Sequence, residues 1–236
     1  DKIFKIIEID ILIMSSVSKD YINIIIVILF ASAISLFGSH KSEFYNEYPV
    51  LFLCMCASFV VHWVVFIPSY LAKTEKFYDI TGTVAYIILL LIASKLTLLT
   101  FDDNLHIRSN IAIGLVLVWA LRLGIFLFVR VIKAGEDRRF REAKKSFSKY
   151  LLWWSMSALW VFLTTANALT LIINNTNIFN DVFFYFGITI WCVGFLFEVV
   201  ADEQKRRFRA NEENKDRFIS TGLWAISRHP NYFGEI

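Results

Sequence analysis

Pro49–Ala72 runs PVLFLCMCASFVVHWVVFIPSYLA, 24 residues without one Asp, Glu, Lys or Arg. A helix rises about 1.5 Å per residue, so about 20 apolar residues cross the ~30 Å hydrocarbon core of a bilayer. Each unpaired backbone amide in hydrocarbon costs several kcal/mol, and a helix pairs its own. This stretch is therefore expected to cross a membrane as one helix, and it sets the scale for the rest of the chain.

Five other runs meet that scale: Tyr21–Phe37, Ile80–Thr100, Ile111–Ile132, Tyr150–Ile173 and Val182–Val200. The 236-residue chain is 57% hydrophobic with 23 Phe, against about 45–50% apolar residues in soluble domains. The expected fold is all-α, a polytopic membrane helix bundle of six transmembrane helices. Residues 1–48 form an N-terminal segment with the first helix, and 49–236 form the main membrane domain. No signal-peptide pattern is evident, because Lys2, Lys5, Glu8 and Asp10 interrupt the opening isoleucines. Cys54, Cys56 and Cys192 fall inside predicted helices. They are expected to be buried thiols rather than disulfides or metal ligands. His40, His62 and His106 have no evident partners, and no metal set is expected.

The charges are unevenly placed. With the N-terminus cytosolic, 20 of the 24 Lys and Arg fall on the cytosolic side, as the positive-inside rule requires. Lys73–Thr81, Arg130–Lys149 and Ala201–Ile236 then share one face, open to a soluble anionic cofactor. A multi-pass protein is expected, with the endoplasmic reticulum a guess from the lipid chemistry. The bilayer and an apolar lipid are the expected partners, with no nucleic acid; oligomeric state is not legible.

Several polar residues sit where a structural task and a chemical one compete. Arg122 lies in mid-segment, where a charge costs at least ~2.5–3.5 kcal/mol. It is expected either to join an ion pair or to contact substrate or phosphate. Arg138 and Arg141 are three apart and able to share a helix face toward phosphate. Glu198 and Asp202 are four apart, on one face as the sixth helix leaves the membrane. Glu198 needs a partner, with Arg122 and Arg130 as candidates. Asn174-Asn175-Thr176 spells a glycosylation acceptor at a helix end, where use is not expected. The stretch from Gly222 to Ile236, GLWAISRHPNYFGEI, gathers Arg228, His229, Asn231, Tyr232 and Glu235 around Pro230. Broken backbone at membrane depth is tolerated where it is buried in protein or lines a cavity.

These patterns resemble an uncharacterised family of integral membrane proteins related to the steroid 5-alpha-reductases. The carrying stretches are WALRLGIFLFVRVIKAGEDRRF (Trp119–Phe140), EVVADEQKRRF (Glu198–Phe208) and GLWAISRHPNYFGE (Gly222–Glu235), with KTEKFYDITG (Lys73–Gly82) also fitting. The resemblance implies an NADPH seat in the C-terminal half. The helix-end acid falls on Asp202, its basic followers on Arg206 and Arg209, and the Asn and Glu of the N-[FY]-x-G-E motif on Asn231 and Glu235. Arg228, His229 and Tyr232 join that cofactor set. It also implies a further hydrophobic segment after Ile236. The tyrosine of the steroid reductases' H-Y-x-x-R-like motif has no counterpart at Leu121–Ile125. No Gln-Glu pair appears in the second helix. By position alone, Glu75 and Tyr78 are the candidate pair that polarises a substrate carbonyl.

Three functions follow as expectations. The first is an NADPH-dependent reductase of an activated C=C bond in a lipid or sterol-like substrate. The second is an S-adenosylmethionine-dependent membrane methyltransferase. Isoprenylcysteine carboxyl and phospholipid methyltransferases share an R-H-P-x-Y-x-G core that Arg228, His229, Pro230, Tyr232 and Gly234 also fit. The third is a non-catalytic membrane scaffold.

Overall fold

The computed structural model describes residues 2–40, 43–101, 104–176 and 181–235, with the side chains of 2–15 and 101 excepted. Lys41, Ile236 and the side chains of Lys2, Lys5, Glu8 and Asp10 thus lie outside the described residues. Among the described residues there are six long helices: α1 (Lys2–Gly38), α2 (Val50–Leu71), α3 (Tyr78–Phe101), α4 (Ile107–Ala134), α5 (Phe147–Asn174) and α6 (Val182–Ala210). All six carry stretches long and apolar enough to cross a bilayer. The chain is an all-α polytopic membrane protein. Two short helices follow, α7 (Leu223–Ile226) and α8 (Pro230–Glu235). A two-residue hairpin turn joins β1 (Phe44–Tyr45) to β2 (Tyr48–Pro49). Asn46 and Glu47 at its tip take φ values of 45° and 69°, as such turns demand.

Contacts divide the chain into two compact units, Asp1–Asn177 and Ile178–Ile236. Within the first unit, α1 packs against α5 and α2, and Ser148 Oγ donates to Asp20 Oδ2 at 2.7 Å.

The first unit is built around α5, which touches α1, α2, α3 and α4. Its core interleaves Val50, Leu51, Cys54 and Phe59 of α2 with Ala85, Leu89 and Ala93 of α3 and Ala158, Phe162 and Leu169 of α5. The alanines let helices approach closely, which favours association where lipid removes the hydrophobic drive. Hydrogen bonds stitch the same seam. Ser58 Oγ donates to the Ala158 carbonyl at 2.8 Å, and Trp63 Nε1 donates to Ser155 Oγ at 3.0 Å. His62, which the sequence left without a partner, is fully buried between two. Its Nδ1 lies 2.7 Å from the Ser58 carbonyl, which can only accept. Its Nε2 lies 3.2 Å from Ser157 Oγ. The histidine is a helix tie.

The glycosylation-like triplet is also structural. Asn175 ends α5 in the left-handed region (φ 37°, ψ 43°). Its Oδ1 accepts from the His106 N–H at 2.9 Å and Ser109 Oγ at 3.2 Å, and its Nδ2 donates to the Asn104 carbonyl at 3.2 Å. One side chain thereby closes α5 and orients the start of α4. The three cysteines are free, but only Cys54 is buried; Cys56 is half-buried and Cys192 is exposed on α6.

Candidate functional site

The sequence nominated two sets of residues, and they lie in different units. Glu75 and Tyr78 belong to the first. Glu75, 4% exposed, accepts the Asp137 N–H at 2.7 Å and pairs with the Lys144 ammonium. Lys144 also sits 3.7 Å from Glu136. The surrounding loop closes on itself: Arg139 meets Asp137 at 2.6 Å, Arg141 meets Glu136 at 2.9 Å and Lys145 meets Glu142 at 2.7 Å. Partial burial pushes the Asp137 carboxyl up, but the hydrogen bonds and charge of Arg139 outweigh it and hold it below its usual value.

Tyr78 stands at the foot of α3. Its hydroxyl donates to the Trp153 carbonyl at 2.9 Å. Its ring packs edge-on against Phe140 at 4.7 Å and Trp154 at 5.2 Å. Beside it, Tyr150 donates to the Thr74 carbonyl at 2.8 Å, and Asp79 faces Arg130 at 4.0 Å. Arg130, one candidate partner for Glu198, therefore has an acid within its own unit. The pair expected to polarise a carbonyl is thus in contact with the 136–145 loop, Glu75 through the Asp137 N–H and Lys144 and Tyr78 through the Phe140 ring. Arg141 is likewise held by Glu136 at 2.9 Å. Arg122 is half-buried on α4, with its guanidinium over the Phe126 ring at 5.2 Å, a cation–π contact one turn away.

The second set is assembled in the second unit. α6 begins at an Asp181 cap, whose Oδ1 accepts the Phe184 N–H at 2.9 Å. The helix continues ten residues past the apolar run. Glu203 supports that extension by meeting Arg206 and Arg207, each at 2.6 Å, at the three- and four-residue spacings that helices favour. Arg206 is thereby engaged along its own helix. Arg209 is exposed at the helix end.

The chain then folds back along α6. Gly222 adopts φ +61°, and a β-carbon there would meet the Gln204 amide at 2.6 Å. Gln204 Oε1 accepts the Leu223 N–H at 3.0 Å. Trp224 Nε1 donates to the Ala201 carbonyl at 2.9 Å, and Lys205 lies 4.3 Å from the centre of the Trp224 ring. Pro230 opens α8, where its fixed φ suits a first helical position.

α8 then lies backbone to backbone on α6. A β-carbon on Gly194 would stand 2.6 Å from the Gly234 carbonyl oxygen. One on Gly234 would stand 2.5 Å from the Gly194 carbonyl oxygen and 2.6 Å from the Glu198 nitrogen. No other residue type fits at either position without displacing backbone. Phe233 packs across Phe197 with ring centres 5.6 Å apart.

This seating gathers the motif. Glu198 and Asp202 are buried on α6. Burial, and secondarily the Asp202 charge, push the Glu235 carboxyl above its usual value. Asn231 Oδ1 is buried and has no hydrogen-bond partner among the described residues. Arg228, His229 and Tyr232 are exposed, with the His229 and Tyr232 rings 5.6 Å apart. Among the eight predicted cofactor residues, Arg206 is drawn into an ion pair with Glu203 of its own helix. Gly194, Gln204 and Trp224 were missed. The signal for Gly194 was available: Gly194, Glu198 and Asp202 fall four apart, on one helix face.

A family model described as a protein of unknown function (DUF1295) matches residues 65–236, and the chain belongs to that family. No curated protein and no solved structure matches it.

Proposed function

We propose that this member of the DUF1295 family is an NADPH-dependent membrane oxidoreductase, reducing an activated C=C bond of a lipid or sterol-like substrate. The observation that carries the proposal is Asn231. Its amide oxygen is buried without a donor, a state that costs about 1–3 kcal/mol unless something binds there. A nicotinamide carboxamide carries the missing N–H. Arg228 and Arg209 are exposed cations suited to phosphate oxygens, which guanidinium groups hold bidentately. In this reading Asp202 orients a ribose hydroxyl or an arginine. The cofactor, when bound, supplies the hydride. The chain's own groups bind and orient it, and the orientation proposed puts them on the cytosolic side. Glu75 and Tyr78 are engaged by Lys144, Asp137 and the Trp153 carbonyl, and their part in polarising the substrate carbonyl stays a proposal made by position alone.

A second reading has its own observation. Arg228, His229, Pro230, Tyr232 and Gly234 fit the R-H-P-x-Y-x-G core of isoprenylcysteine carboxyl and phospholipid methyltransferases, and the exposed His229 and Tyr232 rings lie 5.6 Å apart. A membrane methyltransferase is therefore the alternative.

Binding of NADPH and of S-adenosylmethionine to the purified full-length protein decides between them. NADPH is expected to bind more tightly. Arg228→Ala should weaken it roughly 10- to 100-fold, the worth of a charge-assisted hydrogen bond, while Arg206→Ala should matter less. Tighter binding of S-adenosylmethionine would sink the reductase, and binding of neither would leave a membrane scaffold.

A further inference from the structure

In the first unit, α2 and α4 end where α3 and α5 begin, and that end carries more cations than its acids can meet. The connections there, residues 72–77 and 135–146, join consecutive helices that are long and apolar enough to cross a bilayer. They therefore meet the membrane at headgroup level. α1 reaches the same end through Asp20, which accepts from Ser148. Over residues 19–20, 72–79 and 130–149 there are eleven Lys and Arg against six Asp and Glu.

The six acids are already engaged. Glu75 holds Lys144, Asp79 faces Arg130, Glu136 holds Arg141, Asp137 holds Arg139 and Glu142 holds Lys145. Asp20 has the Ser148 hydroxyl. Lys19, Lys73, Lys76, Lys133, Arg138 and Lys149 are left over. All six are exposed, and none is in an ion pair among the described residues. Leu71, Phe77 and Phe147 stand exposed at the same helix ends. Lysine and arginine stems lie along apolar surface of this kind while their charged heads stay in water.

Lys73 adds a backbone observation. The Lys73 N–H donates to the Tyr70 carbonyl at 3.1 Å and the Thr74 N–H to the Ser69 carbonyl at 3.0 Å, the paired bonds that close a helix at a left-handed residue. Lys73 is that residue, with φ 49°. Glycine takes this conformation without steric cost, and a β-carbon does not. A lysine occupies the position against the backbone's preference, and its side chain has no acid to hold.

We propose that these six cations form a docking surface for anionic phospholipid headgroups in the leaflet at this end of the first unit. Charge complementarity selects the partner. The surface has a surplus of five positive charges, a phosphatidylcholine headgroup is neutral, and a phosphatidylserine headgroup carries a net negative charge. Each Lys or Arg near an anionic surface strengthens association about fivefold. The surface uses neither the cofactor motif nor the second unit, so it stands whichever cofactor binds.

Spin-labelled lipids test it on the full-length protein in phosphatidylcholine vesicles. Traces of labelled phosphatidylserine or labelled phosphatidylcholine report how much of each lipid the protein immobilises. Phosphatidylserine should associate several-fold more strongly, and the preference should collapse at about 1 M salt, where the screening length is ~3 Å. A variant carrying Lys73→Gly with Gln at Lys19, Lys76, Lys133, Arg138 and Lys149 should bring the two lipids close to parity. Lys73→Gly alone suits the backbone, so it should not lower the thermal unfolding midpoint and should still reduce the preference. Equal immobilisation of both lipids by the unchanged protein would overturn the proposal, as would an undiminished preference in the six-site variant. Loss of the preference to millimolar inorganic phosphate at matched ionic strength would overturn it too, because the surface would then serve a soluble phosphate.

Discussion

Two clusters of charged residues lie at helix ends in this molecule, and they are put to opposite uses. Around the α2–α3 turn, Glu75, Asp137, Glu136 and Glu142 each meet a lysine or arginine, and the tyrosines beside them donate to backbone carbonyls. At the end of α6 and along α7 and α8, Arg209 and Arg228 are exposed, Asn231 keeps a bare acceptor and Glu235 is pushed toward protonation. Residue types alone do not separate the clusters. Completion does: paired charges fix a loop, while unmet donors and acceptors leave room for a ligand.

The largest expected effect would break the first cluster. Glu75→Ala leaves the half-buried Lys144 ammonium beside only the more distant Glu136, a loss below the ~3–5 kcal/mol of breaking a fully buried pair but still the largest here. Thermal unfolding in detergent should register that loss, with Glu75→Gln losing less. Unchanged stability together with lost NADPH binding would move Glu75 from scaffold to ligand and erase the contrast.

Next in size is the seat of α8. Gly194→Ala forces a β-carbon onto the Gly234 carbonyl, and overpacking of this kind costs about 1–3 kcal/mol. Hydrogen exchange should show protection lost over residues 223–235 with the first unit unchanged, and NADPH binding should fall with it. Full binding at normal affinity in this variant would mean that the seat does not position the motif.

The smallest effect concerns Glu235. Its folded pKa is raised, so the folded state holds the proton more tightly than the unfolded chain. Stability contributed by this group is therefore greatest in acid and falls as pH rises through the shifted value. Glu235→Gln removes the charge and should increase protection of α8 at neutral pH, with the difference fading as pH drops below the ordinary glutamate range. A difference independent of pH would show that size or shape, and not charge, is responsible.

The fold was legible because hydrocarbon leaves the backbone few choices. An uncharged run such as Pro49–Ala72 has only helix open to it, and α2 spans Val50–Leu71. Where water takes over, hydropathy stops informing while the helix does not. The apolar run of α6 ends at Val200 but the helix extends to Ala210, held by Glu203 and its two arginines. The site was half legible. Asn231, Arg228 and Glu235 stand out by type and spacing, but the destination of a side chain does not. Tyr78 looks the same in sequence whether it faces a substrate or the Trp153 carbonyl. His62 looked solitary because its partner Ser157 lies 95 positions away.

The Gly194–Gly234 contact is made by main chain alone. A junction of that kind has no adjustable parts, since no substitution on either side can be matched by a substitution on the other. Under the proposed function, variation in the ligand must then be sought in the residues displayed on and just before α8, with the geometry of the seat held constant beneath them. Chains that keep both glycines and differ at Arg228, Asn231 or Tyr232 would share one frame and differ in ligand. A chain that loses either glycine would have to build its pocket another way.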